Sequence, residues 1–366
     1  MASRVIASGF ALILLFSSVC HGLVETCEQL QAAFDLTKTQ DVVIEVDRFV
    51  EITCNNFTTM SMDSNTLTVE STSDVVSFFG GVDLYEIRFE VTNSATLVWV
   101  PSVELHGSKT QDVNGGGVFV GEGSTVRFVN NVEMTDVGVR SVTDESSDFA
   151  SYQLSGGCVY TDGYFRVDGA ATFTRCEVGG GGESSPGPGG ALYVGPQGSV
   201  LFNGGVTMSE VSILDDEGNN GGGIYNEGKV NIKGDSKFEA LRAEAGGAIF
   251  NTLGAQFNFR DKAAAVFIDC WASDGIAGAL YNSGYFKFSG PALFVNSDAP
   301  VIFVSSTGET VLSKDSVFWG NDDVDNPSIR VASGGQLTIP SSVSFLADVG
   351  SFCSTVWDDE ADQCLS

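Results

Sequence analysis

The sequence predicts an all-β fold: a right-handed, single-stranded parallel β-helix, wound as a three-sheet solenoid of about ten coils. Three observations predict it. A Gly-rich element recurs along the chain, period-two apolar segments follow each copy, and a Phe or Met returns at a fixed later position.

The Gly-rich copies are Gly115–Phe119, Gly156–Tyr160, Gly189–Tyr193, Gly221–Tyr225, Gly246–Phe250 and Ala277–Tyr281. An aliphatic residue precedes an aromatic one in each. Adjacent strand residues point to opposite faces, so one column lines the interior and the other the outside. The aliphatic column (Val118, Val159, Leu192, Ile224, Ile249, Leu280) is assigned inside. A glycine follows each copy (Gly123, Gly163, Gly198, Gly228, Gly254, Gly284), as a corner needing positive φ would require. A second strand then carries apolar pairs such as Val126/Phe128, Val200/Phe202 and Phe257/Phe259. Their polar neighbours, among them Arg127, Arg166, Asn231, Asn258 and Lys287, are assigned outside. The third strand carries Met134, Phe173, Met208, Phe238, Phe267 and Phe294, each buried Phe contributing ~2–3 kcal/mol. Strands repeated in this order stack like on like at ~4.8 Å per coil, giving a rod on the order of 50 Å long. The right hand follows from the preference of parallel crossovers.

Residues 1–22 read as a secretory signal peptide: Arg4, an apolar run from Val5 to Val19, and small Cys20 and Gly22 before the cut. The solenoid is then 23–366, with its clearest repeats in 115–297. No second apolar stretch is long enough to cross a bilayer, so no membrane insertion is expected. Both ends of a solenoid need caps. Thr26–Leu36 predicts a short amphipathic helix within an N-terminal cap over 26–54, and 350–366 predicts a C-terminal cap. Cys27 with Cys54, and Cys353 with Cys364, bracket these caps and are expected as two disulfides of a secreted chain. Cys158, Cys176 and Cys270 occupy slots held elsewhere by small or aliphatic residues and read as buried apolar side chains. Asn56, in Asn56–Phe57–Thr58, is the one glycosylation sequon, as a glycoprotein would carry.

The GG[AG]-aliphatic-[FY] element followed by Phe-x-x-Asn resembles the repeats of chlamydial polymorphic membrane proteins over roughly 115–321. Phe128–Asn131 and Phe318–Asn321 carry the second motif, while Phe173–Cys176 and Phe267–Cys270 replace its last residue. The resemblance implies a right-handed β-helix and an extracellular adhesin role. Those proteins end in an outer-membrane barrel, which this chain lacks, so it resembles a free passenger-type solenoid. The fold is also that of pectate-lyase-like proteins.

The formal net charge is −29, or −30 without Arg4. This excludes nucleic acid or an acidic membrane face as a partner through the general field. The expected partner is an extracellular glycan or cell-surface protein, and the expected function is non-catalytic adhesion, matrix or surface binding. The connections before the Gly-rich elements vary most, and loops on a rigid scaffold carry binding. Asp144, Glu145 and Asp148 in one such loop, and Asp215, Asp216 and Glu217 in another, are the candidate binding residues. The outward aromatic column is a rival platform for sugar rings or protein surfaces. Asn321, Asp322, Asp323 and Asp325 place four oxygen-bearing side chains in five residues, a candidate Ca²⁺ site, against a default of no cofactor. The alternative function is a divergent polysaccharide lyase or glycoside hydrolase. Of the hydrolase pattern only Asp322–Asp323 occurs, and His106, the one histidine of the mature chain, follows an inward Leu105. No catalytic residue is assigned.

Overall fold

The structure is a computed structural model that describes residues 23–46, 51–71, 82–111, 113–140, 154–179, 187–214, 220–297, 300–321, 328–346, 356–358 and 363–364. Every pairing between successive windings is parallel, and like positions lie on like positions. Val118 is paired with Val159, Leu192 with Ile224, and Ile224 with Ile249. The whole aliphatic column is buried, and so are Phe173, Phe238 and Phe294. The chain is therefore a parallel β-helix.

The second strands form a twelve-stranded sheet running from Leu23–Val24 to Gln336–Thr338. It has two more rungs than the expected ten coils, because Leu23–Val24 adds one and the segment 42–71 supplies two, Val42–Val46 and Thr66–Ser71. The Gly-rich strands make a second ladder, hereafter the aromatic sheet. The strands from Val103–His106 to Ser344–Leu346 make the third. At the N-terminal end these two ladders fuse, because Glu51–Met62 and Val82–Val91 each run from one to the other. A short corner strand follows the third strand in several windings: Lys109–Gln111, Gly138–Arg140, Glu177–Gly179 and Ser212–Leu214 pair in register.

Between third and corner strands the chain turns on a single left-handed residue: Asp136, Arg175, Glu210, Ala240, Asp269 and Asn296 all have φ near +50°. The turn aims the next residue inward, which fills the slot of Val137, Cys176, Val211, Leu241 and Cys270.

The corner glycines act differently from expectation. Gly123 and Gly254 do have positive φ, but Gly163, Gly198, Gly228 and Gly284 do not. A Cβ on Gly163 would fall on the carbonyls of Gly121 and Ser124 in the preceding winding. Close approach of backbones is the reason for glycine there.

The core is a set of ladders. Phe238, Phe267, Phe294, Phe318 and Phe345 stack at 4.7–4.9 Å between centroids. Phe259 and Phe288 of the adjoining sheet meet Phe267 edge-on. A polar ladder runs beside them. Asn226 donates to Asn251, Asn251 to Asn282, and Asn282 to Thr310, at 2.7–2.8 Å. Gly228 and Gly284 N–H groups donate to the Asn226 and Asn282 side chains, so these amides fix the corner from within.

The N-terminal cap is as expected. The helix Cys27–Leu36 starts on Thr26, which exchanges hydrogen bonds with Gln29 as a capping box. Leu30, Ala33 and Phe34 are buried, and Phe34 stacks on Phe89 at 5.6 Å. Cys27–Cys54 is bonded. At the other end, Val356–Asp358 continues the aromatic sheet and pairs antiparallel with Gln363–Cys364, which ends the parallel series. Cys353 lies outside the described residues, and with it the expected Cys353–Cys364 bond.

A second disulfide, Cys158–Cys176, corrects the expectation for those two residues. Their slots face each other across the interior. A Cβ on Gly117 would lie 3.4 Å from Val137, and one on Gly223 would lie 2.9 Å from Leu241. The winding with cysteine in both slots, Cα atoms 5.5 Å apart, forms the bond. Cys270 is the free, buried cysteine of the described residues, as expected.

Candidate functional site

Two features were expected to carry binding: the loop edge and the outward aromatic column. The loop edge starts from the corner strands. The corner strands end at Arg140, Gly179 and Leu214, which stack in register, and the next described residues are Leu154, Gly187 and Asn220. The three connections thus spring from one edge in successive windings. Val139, Leu154 and Val178 form a small buried cluster at the loop bases, separate from the main core. Asn114 Oδ1 accepts the Ser155 N–H at 2.8 Å, tying one loop end to the winding before it. Asp144, Glu145, Asp148, Asp215, Asp216 and Glu217 lie beyond these anchors, outside the described residues.

The aromatic column is a continuous stack of seven rings: Phe119, Tyr160, Tyr193, Tyr225, Phe250, Tyr281 and Phe303. Centroids are 4.2–5.5 Å apart and adjacent rings are within 19° of parallel. Every ring is partly exposed. The stack ends on cations. The Arg88 guanidinium lies 5.4 Å over Phe119, and Arg330 lies 5.8 Å over Phe303. Ring faces are therefore turned along the rod axis and covered on both sides. What reaches solvent is ring edges and hydroxyls. A sugar stacks on a ring face, so the column does not offer sugars the flat platform expected of it.

Its rim is acidic. Tyr160 donates to Asp162 at 2.8 Å, and Tyr193 donates to Glu227. Burial, with the neighbouring Asp162 and Glu227 carboxylates, pushes the Tyr160 and Tyr193 hydroxyls far above their ordinary range. Burial and then Glu227 push Tyr225 up to about 12. Arg88, 3% exposed, donates to the carbonyls of Asn114 and Gly115 and pairs with Glu90. It anchors the first Gly-rich element. Burial lowers its pKa, against the opposing pull of Glu90. These two arginines escaped sequence reasoning, although Arg330 stands in the aromatic slot, paired with Phe303.

No protein-family model, curated protein or solved structure matches the chain. The likeness to polymorphic membrane proteins is thus one of short motifs. One of its two Phe-x-x-Asn copies is also displaced. Phe318–Asn321 occupies the third-strand slot, whereas Phe128 lies on the second strand.

Asn321 does not join the acidic residues after it. It is buried, its Oδ1 accepts the Ser297 N–H at 2.9 Å, and its Nδ2 donates to the Phe294 carbonyl. Both ends of its amide are engaged inside the turn, so the Ca²⁺ reading loses this ligand. Asp322, Asp323 and Asp325 lie outside the described residues. Among the described residues no group of three or more His, Cys, Asp or Glu is placed to hold a metal. His106 faces outward, 3.4 Å from Glu104. Asn56 falls where the register of Glu51–Met62 shifts between Thr53 and Thr58.

Proposed function

We propose that the chain is a secreted, non-catalytic rod that binds an extracellular glycan or cell-surface protein through its acidic loop edge. The observation that carries this reading is the stacking of the corner strands. Loops anchored in successive windings at Arg140, Gly179 and Leu214 would carry Asp144, Glu145, Asp148, Asp215, Asp216 and Glu217 from one edge of the scaffold. A field of −29 favours a basic surface, or a neutral glycan reached through hydrogen bonds. The disulfides Cys27–Cys54 and Cys158–Cys176 belong to an oxidising compartment and support an extracellular setting.

The test replaces all six loop carboxylates by their amides and measures binding to a glycan array and to cell surfaces, with and without Ca²⁺. Reducing-sugar and unsaturated-product assays on polyuronates run alongside. Binding that the amide variant loses, without turnover, supports the reading. Unchanged binding would remove the loop edge from it. Product formation abolished by Asp322→Ala or Asp323→Ala would replace it with an enzyme.

A further inference from the structure

Away from the second sheet and the corner after it, the cations whose side chains the structure describes are engaged. Lys38, Arg88, Arg175 and Lys237 pair with carboxylates, and Arg242 and Arg330 lie over rings. On the sheet itself Arg127 and Arg166 share Asp168. The cations left without a partner are Lys229, Lys233, Arg260, Lys262, Lys287 and Lys314, all exposed. Every one stands on the outer face of the second sheet or at the corner that follows it. At that corner Asp261 and Asp315 offset Lys262 and Lys314, and Asp235 accepts the Ala264 N–H at 2.8 Å. The strands carry no such offset. Their outward residues are Lys229 and Asn231, Gln256 and Asn258, then Tyr285 and Lys287, with Lys233 and Arg260 directly after. The winding before adds Ser199 and Leu201, and the winding after adds Glu309 and Val311. Four cations thus face one bordering carboxylate, in a chain of 47 Asp and Glu to 18 Lys and Arg.

Two amides lie among these cations. Asn231 is in register with Asn258, and Asn258 with Lys287. They are 9% and 8% exposed, and neither side chain donates or accepts a hydrogen bond among the described residues. A covered amide left unpaired is costly, and a ligand rich in hydroxyls supplies its partner. The charges call for an anion and the amides for hydroxyls, which together describe an anionic glycan. Nucleic acid, with one charge per ~1.7 Å of duplex, meets stronger repulsion from a chain of −29. Sulfate suits these cations better than carboxylate does. Three of the four are Lys, a compact point charge, whereas the planar carboxylate is matched by the fork of Arg. We infer that the outer face of the second sheet, from Lys229 to Lys287, binds a sulfated glycan. Sugar rings laid along the rod would meet successive rungs at ~4.8 Å. The loop edge lies across the winding, between the corner strands and the Gly-rich strands, so this site is independent of it.

Calorimetric titration of the full chain with a heparin-derived octasaccharide tests this. Binding should weaken as salt rises, and should fall roughly tenfold when Lys229→Gln and Lys287→Gln are combined, with circular dichroism confirming the fold. Asn231→Ala with Asn258→Ala should weaken it without changing its salt dependence, because hydrogen bonds and not charges are lost. Lys237→Gln, on the third sheet, should change nothing, and the loop variant with six amides should bind at least as well as the parent. An absence of binding, or binding that the double Lys variant retains, would overturn the inference. So would equal binding of the desulfated octasaccharide, polygalacturonate or a single-stranded oligonucleotide, because the face would then take any polyanion. Self-association that the double Lys variant abolishes would overturn it as well, since carboxylates of a second copy would then be the occupant.

Discussion

Residue by residue, the inside–outside assignment was legible because it needs only the period of a strand. Placing Val118 inside put Phe119 outside, and the same parity held through Leu280 and Tyr281. What alternation could not give was which residues meet across the interior. Cys158 and Cys176 fill slots 18 residues apart that touch only once the winding closes. Nor could it show that Asn231 and Asn258, correctly placed outward, would be nearly covered there. The buried titratable groups make a prediction at this scale. Burial pushes the Cys270 thiol up to about 12 from 9.0, and Tyr225 up to about 12 from 10.0, with Tyr160 and Tyr193 raised further. Each is a neutral acid that ionises more readily when unfolded. Its contribution to stability is whole below the unfolded pKa and is lost as pH rises towards the folded one. Denaturant midpoints should therefore hold steady at neutral pH and fall above about pH 9–10. Part of the tyrosinate absorbance should appear only with unfolding. Full tyrosine ionisation in a still-folded rod would contradict the burial account.

Among the elements, the capping helix was readable from Leu30 and Phe34 on one face, whereas the corner strands were not. A three-residue strand beside a long variable loop, such as Glu177–Gly179, has no periodicity to detect. The Gly-rich element was recognised by recurrence, but its physical basis lies in stacking. The second glycine of each copy faces the carbonyl of the next. A Cβ on Gly157 would collide with Gly190 O, one on Gly190 with Gly222 O, and one on Gly222 with Gly247 O. The column cannot relax at one rung without moving its neighbours, because both sides are backbone. Gly190→Ala is accordingly expected to cost ~3 kcal/mol, the upper range for overpacking a close contact. The cost should appear as a lowered urea midpoint. Gly275→Ala makes a suitable control, since a Cβ there meets nothing within 4 Å although its φ of +62° still adds a smaller strain. A loss at Gly190→Ala no larger than at Gly275→Ala would show that backbone approach does not govern the column, since Gly190 itself has no positive φ.

At the scale of the whole molecule, a solenoid's stability is close to a sum of windings and the interfaces between them, so its two ends need not be equally firm. The N-terminal end is closed three ways. The Cys27–Leu36 helix covers it, Phe34 stacks on Phe89, and the fully buried Trp99 of the same winding packs against Phe89 at 5.5 Å. Cys27–Cys54 ties that helix to the first windings. Towards the other end the interior thins. Leu337, Ile339, Val343 and Phe345 are only partly buried, where the equivalent Phe286, Phe294 and Phe318 are wholly so. Each loses part of the ~1.5–3 kcal/mol that full burial of a large apolar side chain contributes. Local opening should then begin at the C-terminal windings and travel inward one rung at a time. Amide exchange is expected to be fastest in Gln336–Thr338 and Ser344–Leu346, slower in Glu309–Val311, and slowest between Val126 and Phe288. Because opening free energy sets the rate under native conditions, the gradient should persist as denaturant rises from zero until global unfolding overtakes it. Uniform protection along the chain would mean that the windings unfold as one unit. Faster exchange at Val42–Val46 than at Gln336–Thr338 would mean that the helix and its disulfide do not hold the end they cover.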